Sequence, residues 1–320
     1  MAQDPKGGIL GVSIVGDRLR IVEGKKEGND FQVTRVAQGR LRQPFDYQAL
    51  VDRNMARRFA EDINRLCETE QFSEKRVALS LDSSMVLVKK IPVDADLNDE
   101  QLSEQVDWEV RQFAISPVGE YIIDFERTHT DPSSPVTNIL VVVVRKKIVQ
   151  FLKEIFKHTS LKLKVVDVDV FSAQRALQLN YDCNNGDKIG LVDVEEGKIH
   201  FSVLEGRNLF LTQDVIPPSS NGNSDDHSES RTRLISKELR RIVLDHQLGK
   251  SVEDFKEIFL YGEAVEDQVL EGLQNSYDVH IGRANPFRKL KILPEVKNDI
   301  GEGRSEQFVI SVGAALRGIQ

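Results

Sequence analysis

Carboxylates at the end of a strand, next to a tight bend, can order water or a metal ion around a phosphate. The stretch "IGLVDVEEGKIHFSVLEG", residues 189–206, reads as a two-stranded hairpin with Asp193 closing its first strand and Glu195-Glu196 at the bend. A bend that receives phosphate usually carries glycine, because the anion must lie against bare backbone. Glutamates put like charge against a triphosphate, and at an effective dielectric of about 20 each close pair costs about 4 kcal/mol. Two readings stay open: a spoiled phosphate cradle, or a charge pair solvated at a hairpin bend. Asp167 and Asp169 share one face of a strand, as paired catalytic carboxylates would. The simpler reading has Asp169, just ahead of "FSAQRAL", capping a helix.

Other chemistry is absent from the pattern. The 6 histidines are scattered without metal-ligand spacing, and neither GxSxG nor GxxxxGK[ST] occurs. A formal charge of −8 argues against a nucleic-acid binder, which needs a basic face. Cys67 and Cys183 form no CxxC and read as free thiols in a reducing cytoplasm. The longest apolar run, about Val136–Val144, is too short to span a membrane, and "MAQDPKGG" lacks a signal-peptide core. The expectation is a cytoplasmic protein.

The elements that must position these residues come from periodicity. At 320 residues the chain calls for two domains or one large one. "ILGVSIV", "LRIVEG" and "FQVTRVAQGRL" read as a three-strand meander separated by glycine-bearing turns. Met55, Phe59, Ile63 and Leu66 then give a helix one apolar face. Strands "RVALSL" and "MVLVKKIPV" follow. Asn98 with Gln101 forms a capping box, and Leu102, Val106, Val110 and Phe113 make the buried stripe of a helix stopped by Pro117. Trp108 flanks that stripe and is expected to be packed. "YIIDFERTH" and "NILVVVVRK" read as strands joined by a turn at Asp131–Pro135. "RKK" at 145–147 opens a helix carrying Ile148, Phe151, Leu152, Ile155 and Phe156, and "LKLKVVDVDV" returns as a strand.

After Asp187 the opening pattern comes back. "GVSIVGDRLRIVEG" lies on "LVDVEEGKIHFSVLEG" without a gap through the first turn, placing Ser13 on Asp193, Val15 on Glu195 and Arg18 on Lys198. The second copy continues into "LFLTQDVIP" and a helix whose Ile235, Leu239, Ile242 and Val243 share a face. An internal repeat of this kind implies a duplicated architecture. Between them "PPSSNGNSDDHSESRTR" has the composition of a disordered loop. "EIFLYG", a helix, "DVHIG" and a final helix "EQFVISVGAALRGI" complete the chain.

Two meander halves with an α/β module inserted in the first resemble the actin-like fold of FtsA and, more closely, the PilM family of type IV pilus assembly proteins. The stretches that carry the resemblance run in the family's order. They are "SLDSSMVLVKKIPVDADLNDEQLSEQVDWEVRQFAISPVGEYIIDFE", "LKLKVVDVDVFSAQRAL", "LISKELRRIVLDHQ", "EIFLYGEAVEDQVLEGL" and "EQFVISVGAALRGI". The resemblance implies an α/β, actin-like (ribonuclease H-like, duplicated) fold. Residues 1–82, 166–187 and 303–320 would form the first domain and 83–165 the inserted subdomain. Residues 188–302 would form the second domain, with a flexible loop at 217–231.

It also implies a nucleotide site, and here the motifs depart from the family. The first phosphate loop has Ser13 for its aspartate and Val15 for its glycine, with Gly11 before it and Arg20 near the family's lysine. The second keeps Asp193 but has Glu195 for its glycine. The adenosine loop keeps Gly262 between Tyr261, expected to fill the space of the base, and Glu263. Glu238 and Arg241 fall where related proteins contact ribose and base, and on helix spacing read as an exposed pair. Three degraded sites suggest that nucleotide turnover does not maintain the fold, although magnesium-ATP stays open as a ligand.

The function implied is that of a cytoplasmic adaptor, a pseudo-ATPase under the inner membrane of a pilus or related secretion apparatus. It would bind the cytoplasmic N-terminal tail of a PilN-like bitopic protein in a groove between the first domain and the insert. Met85, Val106, Val110 and Phe113 are the candidate walls. An active actin-fold ATPase and an FtsA-like filament former are the alternatives, and homo-oligomerisation stays open. No metal, nucleic acid or direct membrane span is expected.

Overall fold

The computed structural model describes residues 7–28, 30–52, 54–128, 134–217, 224–300 and 304–319. The first half opens with β1 (Ile9–Val15), β2 (Arg18–Glu27), β3 (Asp30–Arg40), α1 (Met55–Thr69) and β4 (Arg76–Leu81). A second unit follows: β5 (Val86–Asp94), α2 (Asp99–Phe113), β6 (Tyr121–Arg127) and β7 (Val136–Arg145). The chain then returns through α3 (Lys146–Lys157), β8 (Lys162–Val168) and α4 (Asp169–Asn180). The second half is β9 (Lys188–Val194), β10 (Ile199–Glu205), β11 (Asn208–Val215), α5 (Ser224–Asp245), β12 (Glu257–Tyr261), α6 (Asp267–Ser276) and β13 (His280–Arg283). Short β14 (Lys291–Ile292), α7 (Pro294–Ile300) and α8 (Val309–Ile319) close the chain.

Two of the sheets are copies of one plan. The first runs β14-β3-β2-β1-β4-β8 and the second β11-β10-β9-β12-β13. In each, an antiparallel meander is extended by parallel strands, β1 to β4 and β9 to β12. The duplication expected from the repeat is therefore present, and the fold is actin-like. Every residue of β1 is buried, as a strand covered on both faces requires. One cover is α8, which lies so close that a Cβ on Gly11 would stand 2.0 Å from the Ser311 carbonyl oxygen. A Cβ on Gly313 would likewise meet the Ser172 carbonyl oxygen of α4 at 1.8 Å. Gly11 thus serves helix packing here.

The third sheet, β5-β7-β6, packs α2 through Ile91, Val93, Leu102, Val106, Val110, Ile139, Val141 and Val143. Asn98 caps α2 as expected: its Oδ1 accepts from Gln101 N–H at 2.9 Å and Gln101 Oε1 accepts from Asn98 N–H at 3.1 Å.

Several boundaries differ from the sequence expectations. The insert is narrower than 83–165: Ile148, Leu152, Ile155 and Phe156 of α3 share a core with Phe59 and Ile63 of α1, and β8 pairs with β4. β14, from within 188–302, pairs with β3 in the first sheet. α5 starts at Ser224, so residues 224–231 are helical and not loop; Thr232 Oγ1 donates to the Ser228 carbonyl, and Arg231 pairs with Glu266. The remainder of that loop at 218–223, and 131–133 of the expected turn, lie outside the described residues. α2 ends at Phe113, short of Pro117, and Trp108 is 54% exposed, not packed. Cys67 and Cys183 are both free thiols. Among the described residues no helix is long and apolar enough to cross a membrane.

Candidate functional site

The β1–β2 turn, the ends of β4, β9 and β12, and the start of α4 converge where the two halves face each other. In the first hairpin Ser13 stands opposite Arg20; in the second Asp193 stands opposite His200, as the repeat requires. What fills the space between them departs from a phosphate cradle.

Ser13 is buried with its Oγ unpartnered among the described residues, and so is Ser80 beside it on β4. Arg20, 2% exposed, points its guanidinium at carboxylates of the other half: Glu195 at 3.7 Å and Glu263 at 3.3 Å. Arg18 reaches the same Glu263 oxygen at 2.5 Å and Glu196 at 3.5 Å. The two glutamates of the bend therefore part company. Glu196 is solvated, whereas Glu195 is buried and accepts from the Glu263 backbone N–H at 3.4 Å. Burial pushes the Glu195 carboxyl above its usual range, with Arg20 opposing. Arg18, Arg20, Arg40, Arg304 and Glu263 line an adjoining cavity of about 280 Å³.

Asp193 is also buried, and its Oδ1 has no hydrogen-bond partner among the described residues. The carboxylate lies against Gly262, where a Cβ would stand 2.4 Å from Asp193 Oδ1 and 2.6 Å from the Val194 carbonyl oxygen. Gly262 has φ +101°, so this loop needs glycine for conformation and space alike. Burial, reinforced by Glu195, pushes the Asp193 acid well above the ordinary carboxylate range. Tyr261 is fully buried in the core that joins the halves. Among the described residues no cluster of acidic, His and Cys side chains has the arrangement to hold a metal. A glutamate in the second cradle, a valine in the first and a paired arginine do not fit magnesium-triphosphate in this arrangement.

A second cluster escaped sequence reasoning. Lys198 of β10's approach reaches Asp82, just after β4, at 2.8 Å, and Asp169 and Asp214 at 4.0 Å. Burial alone would lower the Lys198 pKa, but Asp82, Asp169 and Asp193 together hold it above its ordinary value. His200 Nδ1 lies 2.5 Å from Asp214 and 3.4 Å from Ser83 Oγ. The one available signal was the repeat, which sets Lys198 on Arg18 and His200 on Arg20. Asp169 is not the helix cap: Val168 holds that position, and Asp169 Oδ2 instead accepts from the Ser83 N–H at 2.9 Å. Asp167 turns to Ser172 and Arg175, so the two aspartates form no catalytic pair.

The remaining candidates scatter. Glu238 is buried, not exposed, and accepts from Gln213 at 3.1 Å while pairing with half-exposed Arg241 at 3.0 Å. Met85, Val106 and Val110 are 3%, 1% and 0% exposed, so these three belong to cores and offer a peptide no surface. Phe113 is half-buried, with Lys89 Nζ 4.6 Å from its ring centroid. Leu87, near the start of β5, is 43% exposed, and Tyr47 is 42% exposed. Tyr47 Oη donates to the Met85 carbonyl at 3.3 Å, and Arg145 and Lys147 lie 5.9 Å from its ring.

Comparison with known proteins places this geometry. Over 98% of both chains the fold matches a protein of a PilM–PilN type IV pilus biogenesis complex, with TM-score 0.74 and 18% identity. The cytoplasmic domain of EpsL, an inner membrane component of the Vibrio cholerae type II secretion system, matches with TM-score 0.50 at 10% identity, over 97% of this chain and 95% of that one. The ethanolamine utilization protein EutJ from Carboxydothermus hydrogenoformans gives 0.50 at 12% identity, over 98% and 90%. Residues 11–215 match the family described as type IV pilus assembly protein PilM, and the chain belongs to that family.

Proposed function

We propose that this protein is a cytoplasmic adaptor of a type IV pilus or related secretion apparatus. It docks the cytoplasmic N-terminal tail of a single-span, PilN-like inner-membrane protein and turns over no nucleotide. The observation that carries the reading is the end-to-end match, covering 98% of both chains, to a protein of a PilM–PilN complex. A groove at the joint of first half and insert would suit the task. Tyr47, Leu87 and Phe113 offer apolar contact, and Lys89, Arg145 and Lys147 fix orientation by charge. These exposed residues replace Met85, Val106 and Val110 as the walls.

Calorimetric titration with a synthetic tail of the bitopic partner tests it. Leu87→Asp is expected to weaken binding about tenfold or more, because it puts a charge into an apolar contact. An unchanged affinity would place the tail elsewhere. Magnesium-ATP titration tests the other half of the reading. Silence at millimolar nucleotide is expected, and binding abolished by Asp193→Ala would make a nucleotide-gated account the better one.

A further inference from the structure

We infer that the cleft carries its own ligand: Glu195 and Glu263, seated on Arg18 and Arg20, take the place of an external anion and bind the two halves together without one. The inference rests in part on the reading that no nucleotide works here; tail docking plays no part in it. Arg18 and Arg20 stand on β2 of the first half, whereas Glu195 follows β9 and Glu263 follows β12 of the second. Arg20 is 2% exposed, and a guanidinium so buried requires a counter-charge. Glu195 and Glu263 supply it at 3.7 and 3.3 Å. The Glu263 backbone N–H, a donor of the kind that anion cradles use, is also taken by Glu195.

A second contact of reversed polarity lies beside the first. There the second half supplies the cation, Lys198, and the first half the anions, Asp82 and Asp169. Ser83 Oγ and His200 Nδ1 meet across the same boundary at 3.4 Å. Two contacts of opposite sign allow one mutual orientation of the halves and repel a displaced one.

Removal of the internal ligand follows as the test. Without the Glu263 carboxylate, Arg18, Arg20, Arg40 and Arg304 would line the cavity of about 280 Å³ with no acid in the lining, and Arg20 would lose both of its partners once Glu195 is also removed, while Asp17 stays beside Arg18 and Arg40. The double variant Glu195→Gly, Glu263→Ala is therefore expected to melt at least about 3 °C below the parent. Inorganic triphosphate should recover that loss saturably and bind about tenfold tighter than to the parent. A variant that melts like the parent overturns the inference. So does one whose loss triphosphate recovers no better than sodium chloride of equal ionic strength. If the double variant does not fold, Glu263→Gln decides by the distance between spin labels at Glu61 and Glu271. A broadened distribution supports the internal ligand, and an unchanged one overturns it. Should the parent itself bind magnesium-ATP while Glu263→Gln leaves the distance unchanged, both readings fall. If the parent is silent and the distance is unchanged, only this inference falls.

Discussion

Asp193 shows how the surroundings of one buried residue set its protonation. Its carboxyl is buried, one oxygen has no partner among the described residues, and Glu195 stands beside it. Burial first, and then Glu195, keeps the acid above its usual range. An acid whose pKa is higher folded than unfolded binds its proton more tightly in the native state. Stability then falls as pH rises from the unfolded value, about 4, toward the folded one, and the penalty is complete above it. Asp169, raised by burial and then by Asp82, acts in the same direction. Asp193→Asn removes the ionisation, so it is expected to be more stable than the parent at about pH 8, by about 1–3 kcal/mol. Its urea midpoint should also change less between mildly acidic and alkaline pH. A variant less stable at alkaline pH would mean that the ionised form is held by contacts other than those described. Asp193 drew notice in the sequence because it closes a strand beside a charged bend, and Arg20 because it falls near the lysine of the family's first phosphate loop. The partners of Arg20 were not legible there, since Glu263 lies 243 positions away and only the packing of one half on the other brings it near.

At the scale of elements, local chemistry was readable and attachment was not. The Asn98–Gln101 capping box, the stripe of α2 and both meanders are set by spacing within a few residues. Asn98→Ala is accordingly expected to cost about 1 kcal/mol, read as a lower urea midpoint at unchanged slope. The amphipathic pattern of α3 gives it one buried face but does not say against which sheet. That choice is made by α1, whose Phe59 meets Phe151 of α3 edge to face with ring centroids 6.1 Å apart. α5 misleads for a related reason: the polar run at 224–231 has loop composition, yet Arg231 pairs with Glu266 just before α6. Gly313 in α8 is the clearest element-level constraint. Gly313→Ala drives a methyl into the Ser172 carbonyl and is expected to cost about 1–3 kcal/mol.

For the whole molecule, the question is what keeps two similar halves in one arrangement. Side chains of opposite sign occupy the boundary. Lys198 is the most exacting of them, with side-chain exposure of 15% and three aspartates within 4.0 Å. Its pKa is raised by Asp82, Asp169 and Asp193 against the effect of burial. A lysine of raised pKa contributes stability that is fully present below its unfolded pKa, about 10.4, and is lost only as pH rises through the folded value. The contact is therefore intact throughout the neutral range. Lys198→Met leaves Asp82 and Asp169 facing each other without a cation and is expected to cost about 3–5 kcal/mol at neutral pH. Adding Asp169→Asn removes one of the stranded charges and should return part of that loss, a coupling that two independent sites would not show. Equal and additive losses in the cycle would mean that Lys198 and Asp169 act separately, and the boundary would then be held by apolar packing around Tyr261 and Phe308.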